Sequence, residues 1–235
     1  PDDARPWFIR GQCMEHLANS SSAANAYDRA LELDATRDDI RRALVRTLLE
    51  LHRYDECQKH VSVLLETSEE DADTLSLAGE IHRQTARTED AESYYRRALT
   101  HAPRHHQARV GLIRVLLSLE ETIEACGLAE ELVIDHPRNS EACFLLLQAL
   151  RMAQRKQEAR ELAVRYDDLQ REQNRARLLM EKVRERPDGP ELRFEIGSIL
   201  LEYGDRDDAM TWLRSVLELA PRHTQARAIL EQLAE

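Results

Sequence analysis

Apolar side chains recur at helical spacing along most of this chain. Leu44 and Leu48, Leu112 and Leu116, and Leu146 and Leu150 each stand four residues apart, about one helical turn, which puts each pair on one face of its segment. A longer period of 34 residues lies beneath that pattern. Trp7, Gly11, Ala23, Tyr27 and Ala30 set a frame whose second copy is Arg41, Val45, Cys57, Val61 and Leu64. The third copy is Leu75, Gly79, Ala91, Tyr95 and Ala98, and the fourth is Arg109, Ile113, Ala125, Ala129 and Leu132. Cys143, Leu147, Ala159, Ala163 and Tyr166 make a fifth. Each unit is long enough for two helices, and its small slots let the two approach closely. A single hairpin cannot bury both of its faces, so stacked neighbours must supply the core.

A unit with Trp or Leu first, then an apolar residue and Gly, then Ala, an aromatic, Ala and Pro resembles the tetratricopeptide repeat. Ala78-Gly79 and Ile196-Gly197 hold its apolar-Gly slot, and Arg10-Gly11 departs from it at the first position. Ala23, Ala91, Ala125, Ala159 and Ala209 hold the small slot of the second helix. Pro103, Pro137 and Pro221 end that helix, because a residue without an N–H cannot continue the ladder. The resemblance implies an all-α fold, a right-handed superhelical α-solenoid of six helical hairpins plus a C-terminal capping helix. It lays the chain out as one domain, 1–235, with repeats 4–37, 38–71, 72–105, 106–139, 140–173 and 190–223 and a cap over 224–235.

The period breaks once. A sixth repeat due at residue 174 starts instead at 190, so 174–189 is an insertion of 16 residues. Between Arg155 and Arg186 there is neither Pro nor Gly, and Leu162, Tyr166, Leu169, Gln173, Ala176, Met180 and Val183 alternate in steps of four and three. Only Gln173 is polar in that seam. This spacing predicts one helix of about 45 Å, ended by Pro187-Asp188-Gly189-Pro190. The competing reading is a break near Asn174, giving a fifth hairpin and a short extra helix. Either way the sixth repeat is displaced and rotated, since 16 residues are not a whole number of turns.

The insertion also accounts for a close internal likeness, LTHAPRHHQAR at 99–109 and LELAPRHTQAR at 217–227. Three periods of 34 plus the inserted 16 make their offset of 118, so both are the same joint between a second helix and the next first helix. Pro1 stands in that register where Pro103 and Pro221 stand, as the closing proline of a preceding repeat. The chain therefore reads as a piece of a longer array, or as following another domain.

Composition agrees with an all-helical protein, since Ala, Leu, Glu and Arg dominate and aromatics are 5%. The net charge of −11 argues for solubility and against nucleic acid as a partner, because phosphate binding wants a basic surface. No apolar run is long enough to insert directly into a membrane. Cys13, Cys57, Cys126 and Cys143 are widely spaced, which excludes a zinc or redox framework and favours a reducing compartment.

Candidate chemistry is thin. His101, His105 and His106 cluster around Pro103, but the proline breaks the helical face that a metal pair would need, so they read as solvated turn residues. Cys57 and His60 stand three apart, yet Cys57 fills a packing slot and makes a poor nucleophile. Asp38-Asp39, Glu69-Glu70 and Asp207-Asp208 sit at turns and helix starts, where acids favour the dipole without any catalytic role. No phosphate-cradling loop and no catalytic motif is present. The chain reads as non-catalytic, with no cofactor and no metal.

The resemblance implies a concave face lined by the first helices, which binds protein or peptide segments. Its residues in this sequence are Phe8, Arg42, Arg46, Arg83, Val110, Arg114, Leu117, Phe144, Arg151 and Phe194. Across repeats two to five, five arginines against the single acid Glu80 make a basic, partly apolar stripe, with Asp39, Glu50, Asp73 and Glu141 as acidic banks. Such a stripe suits an acidic or carboxylate-bearing peptide with apolar anchors. The opposing reading pairs Arg42 and Arg46 with Asp38, Asp39 or Glu50, and Arg83 with Glu80, as ordinary surface charges. Two family specialisations are absent. The chaperone-tail carboxylate clamp would need Lys and Asn where Phe8 and Gln12 stand, then Asn at Ala43. The asparagine ladder of the sugar-transferase arrays would need Asn at Ile9, Ala43, Leu77, Gly111, Leu145 and Glu195. The function expected is a protein-interaction scaffold. The alternatives are a structural arm that self-associates, or an interaction domain of a larger enzyme or membrane-anchored assembly.

Overall fold

The computed structural model describes residues 3–234, so Pro1 and its expected role lie outside the described residues. Among the described residues there are thirteen α-helices and no strand. They are α1 (Arg5–His16), α2 (Ser20–Leu33), α3 (Asp38–Glu50), α4 (Tyr54–Thr67), α5 (Ala72–Gln84), α6 (Thr88–His101) and α7 (His106–Ser118). Then follow α8 (Thr122–Asp135), α9 (Ser140–Met152), α10 (Lys156–Glu185), α11 (Pro190–Tyr203), α12 (Arg206–Leu219) and α13 (Thr224–Ala234). Packing divides the chain into two compact units, with the division at Ala125/Cys126 inside α8.

In the first unit each helix from α1 to α7 packs on its neighbours in the chain, and α5 also touches α3 and α7. The odd-numbered helices are the first helices of their hairpins, called A helices below. Ala23, Tyr27, Ala30, Leu44, Val45, Leu48 and Cys57, the small and large slots of the repeat, meet in one buried cluster. Tyr95 shows why the glycine slots are needed. A Cβ at Gly79 would stand 2.7 Å from its ring, and one at Gly111, in the next hairpin, 2.2 Å. The ring is gripped by two A helices at once.

The repeated joint is a cap. His105 Nδ1 accepts the Ala108 N–H at 3.1 Å, and His223 Nδ1 accepts the Ala226 N–H at 3.2 Å, so both histidines start helices as Asn or Asp would. Asn19, Asp71, Asn139 and Asp205 serve α2, α5, α9 and α12 in the same way. The expectation of a solvated turn residue holds for His101, which is exposed, but fails for His105, whose side chain is only 16% exposed, as that of His223 is only 11% exposed. Each ring turns inward to reach a backbone N–H.

The turn inside a hairpin has its own device. Ala18, His52, Ala86, Glu120 and Gln154 all have φ between 54° and 62°, and they stand 34 residues apart. At each, two N–H groups fold back on the helix end; for Ala86 the pair is Ala86 N–H to the Arg83 carbonyl and Arg87 N–H to the His82 carbonyl. A left-handed alanine is strained by about 1–2 kcal/mol, while glycine costs about 0.4–1 kcal/mol through the freer unfolded chain. Ala86 is exposed, so nothing else is lost. Ala86→Gly is expected to stabilise the protein by about 0.5–1 kcal/mol, read as a higher urea midpoint. A lower midpoint would show that the strain argument is wrong. The corresponding residue of the last hairpin is Gly204, and there φ is −136°, without a left-handed residue.

In the second unit α10 runs unbroken over 30 residues, and both α9 and α11 pack on it. The first half faces α9, where the Phe144 and Tyr166 rings lie 6.1 Å apart. The second half faces α11 through Ala176, Leu179 and Val183 against Ile196 and Ile199. Gln173, the polar residue of the seam, marks the changeover. Its amide donates to the Arg138 carbonyl just before α9 (3.2 Å) and to the Tyr203 carbonyl at the end of α11 (2.9 Å). Then α12 packs on α11, and α13 lies on α12, with Ala226 buried against Leu213 and Val216.

Candidate functional site

The A helices α3, α5 and α7 share a pocket of about 360 Å³ in the first unit. Arg46, Leu49 and Glu50 come from α3, Ser76, Leu77 and Glu80 from α5, and Gln107, Val110, Gly111 and Arg114 from α7. Tyr95 of α6 forms the floor where Gly111 leaves room. Helical spacing puts these residues on one edge, since 46 and 50, and 107, 110, 111 and 114, are steps of three and four.

The floor is a closed electrostatic unit. Glu80 accepts from Arg83 Nε (2.9 Å) and Nη2 (2.6 Å), from Gln84 (2.8 Å) and from the Tyr95 hydroxyl (2.8 Å). Burial would raise its carboxyl, but these donors outweigh burial and hold it below the usual range. Its lone pairs are thus occupied, and Glu80 and Arg83 cancel. Burial, and then the Glu80 charge, push the Tyr95 phenol far up, so it stays a donor. A related pair recurs in the first hairpin, where Tyr27 donates to Glu15 at 2.7 Å and Thr47 donates to its other oxygen at 2.8 Å.

The rim is linked across hairpins. Arg42 reaches Asp71 at 3.3 Å, and Arg46 reaches Asp73 at 3.9 Å. Asp73 also accepts from His105 Nε2 at 3.0 Å, because Nδ1 of that ring is committed to its cap. That hydrogen bond, with the nearby arginine charges, lowers the Asp73 carboxyl. Both arginines therefore pair with acids of the following hairpin rather than with Asp38, Asp39 or Glu50. Asp39 bonds Arg37, and Glu50 accepts from Ser20.

Arg46, Val110 and Arg114 come together at this pocket, although Val110 is buried. Arg42 and Arg83 stand off it in their ion pairs, and Leu117 is half-buried one turn beyond Arg114. Phe8 lies against Tyr27, ring centres 5.8 Å apart, with Arg37 over it. In the second unit Phe144 is 42% exposed beside Tyr166, and Phe194 stacks on His223 at 4.6 Å. Arg151 lines a separate pocket with Gln154, Lys156, Ala159, Arg160 and Ala163. Sequence reasoning missed Tyr95 as a groove residue, having placed it in a packing slot. The signal was available in the two glycines, Gly79 and Gly111, that flank it.

Among the described residues no group of three or more His, Cys, Asp or Glu could hold a metal ion, and no helix is long and apolar enough to cross a membrane. Burial pushes the Cys57 thiol up to about 11 and raises those of Cys126 and Cys143, so all three are protonated at neutral pH.

Tetratricopeptide repeat models match residues 19–81, 76–126 and 190–223. No curated protein matches the chain. Among solved structures it is similar to YrrB, a TPR protein with an unusual peptide-binding site, at 16% identity and a TM-score of 0.52, over 88% of this chain and 99% of that one. PilF of Pseudomonas aeruginosa is similar at 15% identity and a TM-score of 0.61, over 97% of each chain. The Cut9–Hcn1 complex of the APC/C is similar at 13% identity and a TM-score of 0.63, over 100% of this chain and 44% of that one. Such repeats serve protein–protein interaction and scaffolding, and the slots, joints and matches together place the chain in the tetratricopeptide repeat family.

Proposed function

We propose that the chain is a non-catalytic scaffold that holds an acidic or carboxylate-bearing segment of a partner protein along its A helices. One observation carries this reading. Three successive A helices open onto a single pocket with Leu49, Leu77 and Tyr95 inside and Arg46 and Arg114 among its lining. The apolar part seats an anchoring side chain, and a partner carboxylate competes for Arg46, whose own pair with Asp73 is long and exposed. Phe8, Arg42, Arg83 and Leu117 extend the same reading to neighbouring A-helix positions of the first unit. The similarity to YrrB, described as having a peptide-binding site, supports it at the level of fold.

The test is capture of partner protein from native lysate by wild type and by the Arg46→Glu/Arg114→Glu double variant. Capture is expected to fall at least about tenfold, with helicity by circular dichroism unchanged. Undiminished capture by the double variant would sink the proposal.

A further inference from the structure

The long helix leaves a seat empty beside its own first half. In a regular hairpin, the residues two-thirds along the repeat are sealed by the next A helix. Tyr27 and Ala30 of α2, Val61 and Leu64 of α4, and Tyr95 and Ala98 of α6 are all at most 4% exposed. The helices that follow and pack on these are α3, α5 and α7. The last hairpin obeys the same rule, with Leu213 and Val216 fully buried under α13. The corresponding residues of α10 are Ala163 and Tyr166, and both are only half-buried. Their next A helix, α11, has been carried along α10, where it packs on Ala176, Leu179 and Val183 and ends opposite Gln173. Sixteen residues turn a helix by about 160° beyond whole turns, so α11 lies away from the flank that Ala163 faces.

This flank is also charged in one sense. A pocket of about 320 Å³ over Ala159 and Ala163 is lined by Arg151, Lys156 and Arg160, without a carboxylate. Among the described residues none of these three takes part in an ion pair, whereas adjacent Arg155 is held by Glu130 and Glu158. In a chain of net charge −11, three exposed cations around a small apolar seat are complementary to an acid.

We propose that this flank of α10 docks an acidic amphipathic helix of a partner protein, seated where a regular array would place its next A helix. Small or aliphatic residues of that helix lie on Ala159 and Ala163 beside the Tyr166 ring. Its carboxylates meet Arg151, Lys156 and Arg160. The surface belongs to the second unit alone and does not depend on the pocket of the first.

Fluorescence anisotropy tests it with a fluorescein-labelled amphipathic peptide of Glu, Leu and Ala, and a twin with Lys in place of Glu. Wild type is expected to bind the acidic peptide at least about tenfold more tightly than the basic twin. Arg151→Glu/Arg160→Glu is expected to lose that binding at least about tenfold, and Arg46→Glu/Arg114→Glu to keep it. Ala163→Arg adds positive charge but fills the seat, so it is expected to weaken binding too, with the thermal transition by circular dichroism confirming the fold. Tighter binding by Ala163→Arg would show diffuse attraction and overturn the proposal. So would equal binding by wild type and Arg151→Glu/Arg160→Glu. Loss only in Arg46→Glu/Arg114→Glu would overturn this site while supporting the groove of the first unit.

Discussion

Tyr95→Ala is expected to cost about 4 kcal/mol of stability, the range for emptying a buried aromatic site. The residue is 1% exposed, and α5 and α7 both close on its ring. Gly79 lies on one side and Gly111 on the other, each too close to accept even a Cβ. Neither helix can collapse into the vacated space without abandoning its other contacts, so the cavity persists. Tyr95→Phe separates the packing from the hydroxyl. It keeps the ring and removes one of the four hydrogen bonds to Glu80, which retains Arg83 and Gln84. A cost of about 1–2 kcal/mol is expected for that variant, because the bond is to a charged group. Both values come from urea denaturation. A cost below about 1 kcal/mol for Tyr95→Ala would show that α5 and α7 do close on each other. There is a pH consequence as well. Glu80 is held below its ordinary value of 4.5, so its contribution is present above that pH and is lost as pH falls through the lowered folded value.

The repeat could be found in the sequence because each slot is a demand on size. Gly79, Ala91 and Ala98 are small where helices touch, and a fixed 34-residue spacing makes three such coincidences informative. The length of α10 was legible for a similar reason, since Pro and Gly are the residues that stop a helix and none occurs from 156 to 185. The left-handed turns were not legible. Glycine or asparagine usually announces that conformation, and here it falls to Ala18, His52, Ala86, Glu120 and Gln154, which only the fold compels. The capping role of His105 and His223 was hidden because a histidine can accept a backbone N–H only when its ring turns inward. Arginine partners were equally out of reach. Arg42 and Arg46 stand near Asp38, Asp39 and Glu50 in sequence, but the stacking of hairpins presents Asp71 and Asp73 instead. The open flank at Ala163 depends on where α11 comes to rest along α10, which no local pattern records.

That dependence makes α10 the place where a single residue should matter most in the second unit. Asn174→Pro is expected to cost about 4–5 kcal/mol. Proline there removes one N–H of the helix and sets its ring against the carbonyl one turn back, for about 3 kcal/mol or more. The kink also moves adjacent Gln173 off the Arg138 and Tyr203 carbonyls, two bonds worth about 1 kcal/mol each. Asn174 is exposed, so its own side chain contributes little to this sum. Asn174→Gly is expected to cost only about 0.5 kcal/mol, because glycine loosens the helix without breaking it. The contrast between the two is the informative measurement. If α10 were two helices meeting near residue 174, proline would fit the junction and cost no more than glycine. With one continuous helix, hydrogen exchange in Asn174→Pro should rise through α11 and α12, which hold to the second half, while α9 on the first half keeps its protection. A helix that carries α9 and α11 on faces set by its own twist transmits a break to one hairpin and spares the other.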